Sequence, residues 1–454
     1  MAELEGAALV RRAYDRFGFG ASAEQLATGA NDPERAISTL LSPVTSTPGS
    51  DGGSDPGVAA TPAPDVRSAE QAAEIDVPRK QLPPEQRREL KRARKQRQQQ
   101  ITGWWLDRMV RAEQAVPERL TWFWHGHFAT SIQKVKSASL MLEQNVTLRR
   151  LGGDTFQTLA QAMIIDPALL VWLDGNDNVQ GSPNENLGRE FLELFSLGHG
   201  HYNETDVRET ARALTGWKIN RTTGRVRLVA ARHDDGEKTI FARPGNYDAG
   251  SFVDLACDQA ATAAFVVGRL WFRLVSATAP DDATKERLVA AYGKNGDIAA
   301  VLTVISTEAA FRAGGTSLVK QPVEWTVGLL RATGVVPSAL EDNQRQRLVQ
   351  LLRGMGQVPF LPPSVGGWPA GTSWLTTASA LSRTQAARLI TSAAQQSKSL
   401  DVAVSPKAVP DHVRQLLGLD ALSDRTRSAV AAVADSLPHA VAVAACSPEY
   451  VVSR

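Results

Sequence analysis

The sequence predicts a mainly α-helical protein: a multi-helix globular array with one small β-hairpin and long loops rich in Pro, Gly and Trp. Through most of residues 84–454, apolar side chains recur three or four residues apart, as they do in amphipathic helices. A strand-like pattern is best developed near residues 217–231, where Thr222–Gly224 would form the turn of a hairpin. The sequence lacks the strand–helix alternation and the GxGxxG or Walker motifs of nucleotide-binding sheets.

Composition excludes several classes of protein. The chain of 454 residues is 43% hydrophobic and 22% charged, which is typical of a soluble globular protein with a large core. Its net charge of +2 gives no reason to expect a nucleic-acid partner. The basic run Arg87–Arg97 lacks interleaved aromatic residues for base stacking, so we interpret it as a solvated helical face. Cys257 and Cys446 match no metal or redox spacing and are expected to be free thiols.

Targeting features are also missing from the sequence. No run of about 18 apolar residues predicts a membrane span. The first residues lack the basic region and apolar core of a signal peptide, so a cytoplasmic location is expected for the chain as written.

Three regions follow one another along the chain. Residues 1–41 are expected to form short N-terminal helices, with Ser22 as a helix N-cap. Residues 42–83 are rich in Pro, Gly, Ser, Ala and Asp, which predicts a flexible linker or loop. Residues 84–454 form the main helical domain.

The segment Asn184–Trp217 is the centre of the functional hypothesis. It predicts two helices joined by a tight Gly/His turn. Glu190 and Glu193 share one side of the first helix and have apolar residues on both flanks. Asn203 is a good N-cap for the second helix, and Asp206 can complete a capping box. Two carboxylates on a mostly apolar helix are either paired internally or used for chemistry.

Two interpretations of this carboxylate pair are open. In the structural one, Arg208, Glu209 and Arg212 of the second helix join Glu190 and Glu193 in a buried ion network. In the functional one, arginines hold the two carboxylates at a cleft. Environments that separate two carboxyl pKa values produce an acid and a base.

His125 and His127 lie two residues apart within an aromatic stretch. They could be one core histidine and one cap, or a general acid/base, or half of a metal site. A divalent metal would need further ligands, for which the candidates are His199, His201, His233, Glu190 and Glu193. No HExxH or similar spacing supports such a site, so no cofactor is predicted beyond this alternative.

Two loops have both a structural and a functional interpretation. The segment His233–Lys238 is either a solvated turn or a functional loop held by a rigid scaffold. Trp368 and Trp374 lie in a Pro/Gly-rich segment, where an indole can fill a core or stack on a sugar ring. No GxSxG elbow or catalytic-cysteine motif is present.

Several of these motifs, together and in order, resemble the DUF1800 family, a bacterial family of unassigned function. The stretches that carry the resemblance are TWFWHGHFATS (121–131), the segment 184–217, HDDGEKT (233–239), KQPVEW (320–325) and MGQVPFLPPSVGGWP (355–369). The resemblance covers roughly residues 5–454. Gly126 and Asn203 depart from the Asn and Thr that the family often has there. Many relatives are exported, and some carry carbohydrate-related modules, so the resemblance implies a glycan-like polymer by association.

The leading hypothesis is a hydrolase that acts on a glycan-like or other polymer through a Glu/His cleft between helical lobes. The candidate catalytic residues are Glu190, Glu193, His125, His127, His233 and Asp234. The candidate substrate-binding residues are Arg189, Arg208, Arg212, Trp217, Lys238, Trp368 and Trp374. The alternatives are a metal-dependent enzyme with His and carboxylate ligands, and a non-catalytic scaffold or partner protein with a buried Arg–Glu network.

Overall fold

The computed structural model describes residues 3–45, 55–72, 82–220 and 223–453, and it confirms the mainly α-helical class. The α-helices of these residues are α1 (Gly6–Phe17), α2 (Ala23–Gly29), α3 (Pro33–Thr45), α4 (Pro56–Ala59), α5 (Val66–Ala72), α6 (Pro84–Arg111), α7 (Val116–His127), α8 (Ile132–Val135), α9 (Ala138–Leu151), α10 (Phe156–Ile164), α11 (Pro167–Trp172), α12 (Asn186–Glu190), α13 (Glu204–Ala213), α14 (Ala249–Cys257), α15 (Ala260–Leu274), α16 (Asp282–Tyr292), α17 (Ile298–Thr307), α18 (Ala309–Arg312), α19 (Pro322–Thr333), α20 (Asp342–Gly354), α21 (Thr377–Gln396), α22 (Val409–Leu416), α23 (Asp424–Ala431), α24 (Leu437–Ala445) and α25 (Pro448–Val451). The strands are β1 (Trp217–Ile219), β2 (Val226–Leu228), β3 (Lys238–Ile240), β4 (Arg243–Gly245), β5 (Leu318–Val319) and β6 (Val452–Ser453).

Two predicted helix caps are confirmed. The Ser22 side chain accepts a hydrogen bond from the Gln25 backbone N–H at 3.1 Å, and the Gln25 side chain completes the capping box of α2. Asn203 and Asp206 form the same reciprocal pair at the start of α13. Such pairs satisfy backbone donors that have no partner within the helix.

The interval 42–83 is only partly described, because residues 46–54 and 73–81 lie outside the described residues. The described part contains the end of α3 and the short helices α4 and α5. Asp55 and Val66 are each 1% exposed, and Asp55 also accepts a hydrogen bond from the Gln114 backbone N–H. Composition alone missed these few anchoring contacts.

Three two-stranded antiparallel sheets occur in the described residues, where the sequence predicted one hairpin. The predicted hairpin is confirmed, with Trp217 opposite Leu228. β3 and β4 form a second hairpin, which the sequence did not predict. Its two turn residues, Phe241 and Ala242, have φ of 51° and 59°, which Asn or Gly usually supplies in such a turn. β5 pairs with β6 close to the end of the chain.

The hydrophobic core has two parts, and α7 contributes to both. Trp122 belongs to the part formed with α6, α19, α21 and α24. Leu120 and Trp124 belong to the part formed with α10, α14, α15 and α17. α7 is buried on nearly all sides, including its charged residues Glu118 and Arg119.

A buried ion cluster lies beside α7. The Glu118 carboxylate, 1% exposed, accepts hydrogen bonds from Arg149 at 2.6 and 2.9 Å and from the Trp105 indole N–H at 3.0 Å. Arg108 donates to the same carboxylate, and both guanidinium groups lie over the Trp104 ring. The cluster ties α6, α7 and α9 together.

Cys257 and Cys446 are free thiols, as predicted. None of the described helices combines the length and the apolar character that a membrane crossing needs.

Candidate functional site

The helix that carries the carboxylate pair changes its winding between the two glutamates. After Glu190 the α-helix continues as a π-helical turn, Phe191–Ser196, in which the Ser196 hydroxyl donates to the Phe191 carbonyl at 2.7 Å. Gly198 then ends the turn with φ of 82°, and an added Cβ there would lie 2.9 Å from the Phe265 ring. Single π-helical turns often occur at functional sites because they redirect side chains.

The Glu193 carboxylate has two defined partners. The Tyr202 hydroxyl donates to one oxygen at 2.6 Å, and the His199 Nε2 lies 2.9 Å from the other. The Glu193 side chain is 22% exposed, whereas that of His199 is 80% exposed. Burial and the bond to Glu193 raise the pKa of Tyr202 to about 12, so Tyr202 stays protonated and remains a donor. Both contacts fix the position of the Glu193 carboxylate.

Glu190 has a different environment. Its half-buried carboxyl makes no hydrogen bond or ion pair with any described residue. Burial raises its pKa above the ordinary value, and the nearby charge of Glu193 raises it further. Two neighbouring carboxyl groups therefore lie in different surroundings, one with a raised pKa and no bonding partner among the described residues and the other held by two contacts, as an acid/base pair requires.

Arg189 does not neutralise this pair. Its guanidinium binds Glu204 through two hydrogen bonds of 2.8 Å and Glu185 through one of 3.0 Å. These bonds link the start of α12 to the start of α13. Arg189 therefore stabilises the packing of α12 against α13. It lowers the pKa of Glu190 only through its charge, without a hydrogen bond.

The arginines of α13 also have other partners. Arg212 binds Asp234 with two hydrogen bonds, of 2.7 and 3.1 Å, and Glu209 with one of 2.7 Å. Arg208 is exposed and donates to the Thr205 hydroxyl at 3.0 Å. The ion network that the sequence suggested around Glu190 and Glu193 is thus not the one that forms.

The segment His233–Lys238 is ordered by its own polar groups. The Lys238 ammonium, in a side chain that is 1% exposed, donates to the carbonyls of Asp234 at 2.6 Å and Gly236 at 2.9 Å. The His233 Nδ1 lies 2.9 Å from the Thr215 carbonyl, while the Thr215 hydroxyl accepts from the Asp234 N–H at 2.7 Å. Since α13 packs against both α12 and β3, this loop and the carboxylate pair share a scaffold.

Trp217, where β1 begins, is half-buried, and its indole N–H has no partner among the described residues. It packs against the part of the core that contains Leu187 and Phe191. Trp217 therefore anchors the hairpin to this part of the core.

His125 and His127 lie in the core, at 1% and 2% exposure. Burial lowers the pKa of each to about 3, so both are neutral at physiological pH. The His125 Nε2 accepts the Phe360 N–H at 3.0 Å, whereas the His127 Nε2 lies 2.9 Å from the Phe195 carbonyl. Neither histidine bonds to Glu190 or Glu193, but His127 supports the π-helical turn from its buried side.

Trp368 and Trp374 are 4% and 3% exposed, which places them in the core and not on an exposed platform. The Trp368 ring stacks on Trp122 with 5.1 Å between ring centroids. Arg273 holds the adjoining backbone by donating to the Trp368 carbonyl at 2.8 Å. These contacts fix the Pro/Gly-rich segment against α7 and α15.

Metal coordination finds no support in the described part of the chain, where no group of three or more His, Cys, Asp or Glu side chains could hold an ion. His199 and His201 are exposed, and His125 and His127 are buried elsewhere. Of the side chains proposed as joint ligands, Glu193 and His199 are in contact, but no third ligand joins them among the described residues.

A cavity of about 690 Å³ lies between α6 and α20. Its wall includes Asp107, whose pKa is raised by burial, but this carboxylate already accepts the Ser338 N–H at 2.7 Å. None of the sequence-predicted site residues lines it. We favour the Glu190 and Glu193 surface as the reactive site because it offers two carboxyl groups in unequal environments.

Sequence reasoning missed the role of Tyr202, which follows the Gly/His turn and donates a hydrogen bond to Glu193. It also missed His127 as the support of the π-helical turn. Tyr202 could have been noticed as the aromatic residue within the polar stretch GHGHYN. The His127 contact joins residues 68 positions apart, so no local pattern reveals it.

Comparison with curated proteins and with solved structures gives no match. A family model described as "Protein of unknown function (DUF1800)" matches residues 12–452, nearly the whole chain. The protein therefore belongs to the DUF1800 family.

Proposed function

We propose that this protein is a hydrolase in which Glu190 is the general acid and Glu193 the general base. The observation that carries the proposal is the unequal environment of the two carboxyl groups. Glu190 has no bonding partner among the described residues and a raised pKa, whereas Glu193 is held by Tyr202 and His199. General acid–base pairs of this kind contribute roughly 10²–10⁴-fold to a rate.

In the proposed reaction, Glu193 removes a proton from a water molecule as the water oxygen bonds to the reacting carbon. Glu190 gives its proton to the leaving oxygen while the bond between that oxygen and the carbon breaks. Glu193 gains one proton and Glu190 loses one, so proton exchange with solvent restores the starting protonation of both groups. The Tyr202 and His199 contacts orient the Glu193 carboxylate for the first transfer.

The proposed substrate is a glycan-like polymer. The carboxylate pair is half-buried and adjoins the exposed side chain of His199, and His201 and Arg208 are exposed on the same helix–turn–helix segment. An open surface of this kind can accept a section of a long chain, which a closed pocket cannot. Hydroxyl-rich sugars suit imidazole and guanidinium groups, which donate hydrogen bonds in fixed directions.

The test measures release of reducing ends from a panel of polysaccharides by the full chain and its variants. Glu190→Gln and Glu193→Gln should each lower the rate by about 100-fold or more while circular dichroism shows an unchanged helical fold. Glu286→Gln, which alters an exposed carboxylate on α16, is the matched control and should keep full activity. Hydrolysis of no polysaccharide, or full activity of both site variants, would reject the proposal.

A further inference from the structure

A second cavity, of about 330 Å³, lies among α1, α6, α19, α22 and α25. Its wall includes Arg11, Asp15, Lys320, Arg331 and Tyr450. The volume is that of a site for a small organic molecule. None of the residues assigned above to the hydrolase lines it.

Cationic groups dominate the wall of this cavity. Arg11, Arg111, Lys320 and Arg331 line it, against the single carboxylate of Asp15. That carboxylate is already paired, because the Lys320 ammonium lies 3.2 Å from it with both side chains about nine-tenths buried. Arg11 is also paired, with the carboxylate of Asp420. Arg111 and Arg331 have no ion-pair partner among the described residues, so an entering ligand still meets an excess of positive charge, which favours an anion.

Arg331 has no carboxylate within ion-pair distance among the described residues. One of its terminal nitrogens donates to the carbonyls of Met109, Val110 and Ala112 at 3.1, 3.0 and 2.7 Å, at the end of α6. Its other N–H groups have no hydrogen bond to a described residue. A guanidinium fork with free donors matches the geometry of carboxylate and phosphate.

Two further donors on the wall are buried without a partner in the described residues. The Tyr450 hydroxyl, in a residue 2% exposed, makes no hydrogen bond, and neither does the Arg11 Nε, in a residue 6% exposed. Buried polar groups normally find a partner, so each unsatisfied one calls for an explanation. Gly328 makes room for the hydroxyl, since a Cβ there would lie 2.9 Å from the Tyr450 oxygen and 3.0 Å from the Phe19 carbonyl.

We propose that this cavity binds a small organic oxyanion, a molecule that carries a phosphate or carboxylate group. Arg331 supplies charge and N–H donors to the anionic group, and the Arg11 Nε–H, which Asp420 does not bind, supplies one more donor. The Tyr450 hydroxyl donates to an oxygen of the same ligand. Lys320 lies 4.3 Å from the Tyr450 ring centroid and holds that ring in place. The donors that are unsatisfied in the protein alone are thus satisfied in the complex.

The test is isothermal titration of the full chain with glycerol 3-phosphate, glycerate and glycerol. These probes share a three-carbon skeleton and differ in their anionic group, so the first two arms distinguish phosphate from carboxylate. The decisive variant is Tyr450→Phe, which removes a hydroxyl that bonds to no described residue and should leave the unfolding midpoint unchanged. Tyr247→Phe, outside the cavity, makes the same chemical change as a control.

Binding of at least one of the two anions but not of glycerol is expected, with a roughly five- to tenfold weaker affinity in Tyr450→Phe and none of this loss in Tyr247→Phe. Affinity should also fall as salt is added. Absence of binding by both anions, or equal affinity in wild type and Tyr450→Phe, would overturn the assignment.

Discussion

The Tyr202 hydroxyl donates a 2.6 Å hydrogen bond to Glu193, a residue nine positions earlier across the Gly/His turn. The turn is what brings them together, because Gly198 and Gly200 both adopt positive φ and reverse the chain. Glu190, on the same helix before the π-helical turn, receives no such donor from a described residue. The local winding of one helix thus gives two carboxylates different surroundings.

The first prediction concerns Tyr202→Phe. Loss of the hydroxyl removes the hydrogen bond that orients the Glu193 carboxylate, so the rate of hydrolysis should fall by roughly tenfold. The measurement is the rate on the polysaccharide that the wild type cleaves best. If Tyr202 only packs the turn, the stability of the fold will change while the rate will not.

The second prediction concerns Glu118 and its arginines. Glu118→Gln should lower the free energy of unfolding by about 3–5 kcal/mol at neutral pH, because Arg108 and Arg149 are left buried without their carboxylate. Urea denaturation of wild type and variant measures the difference. Glu286→Gln, on an exposed helix face, should change stability by less than about 0.5 kcal/mol.

The Glu118 effect should also depend on pH in a defined direction. Burial alone would raise the pKa of Glu118, but the charges of Arg149 and Arg108 outweigh it and hold the pKa below its ordinary value of 4.5. A depressed carboxyl pKa stabilises the fold above the unfolded pKa and ceases to do so as the pH falls through the folded one. The difference in the free energy of unfolding between wild type and Glu118→Gln should therefore be largest at neutral pH and should decrease below about pH 4.5. A difference that stays constant with pH would contradict this prediction.

Helices and local caps were predictable from sequence because their causes lie within a few residues. The Asn203–Asp206 capping box follows from two side chains three positions apart. The β3–β4 hairpin was missed because Phe241 and Ala242 do not favour positive φ by themselves. The Asp206 carboxylate accepts the Phe241 N–H at 2.7 Å and helps to hold that turn, a contact over 35 positions that no local pattern contains.

The candidate site was predictable only in part, for a related reason. The helix that carries Glu190 and Glu193 was evident from spacing, but the partners of each charge were not. Arg212 could equally have reached Glu193 or Asp234, and the structure selects Asp234. Ion-pair partners depend on how helices pack, so sequence proposes a set of partners and packing selects among them.

The third prediction concerns the buried histidines. Burial lowers the pKa of His125 and His127 from 6.5 to about 3, so the unfolded chain takes up protons near pH 6.5 and the folded chain does not. Stability should therefore fall as the pH drops from about 6.5 towards 3, by at most about 1.4 kcal/mol per pH unit for each histidine. His125→Phe removes the contribution of one histidine to this pH dependence of stability. It also leaves the Phe360 N–H without its acceptor, at a cost of about 1–3 kcal/mol near pH 8.

Unfolding measured between about pH 8 and pH 4 tests this prediction. The free energy of unfolding should depend more steeply on pH in the wild type. In His125→Phe it should be lower at the alkaline end and should decrease less on acidification. An equal slope in both proteins would mean that His125 gains a proton without unfolding, in conflict with its 1% exposure.

The fourth prediction separates a core tryptophan from a ligand platform. Trp368 is 4% exposed and stacks on Trp122, so Trp368→Ala should lower the free energy of unfolding by about 3–5 kcal/mol through lost burial and a cavity. Trp368→Phe keeps an aromatic ring and should cost less, because most of the stacking surface remains. An exposed sugar-stacking tryptophan would behave in the opposite way, with unchanged stability and weakened polysaccharide binding in both variants. Chemical denaturation and a polysaccharide-binding assay on the same preparations distinguish the two, and the contacts of Trp368 with Trp122 and His125 favour the first outcome.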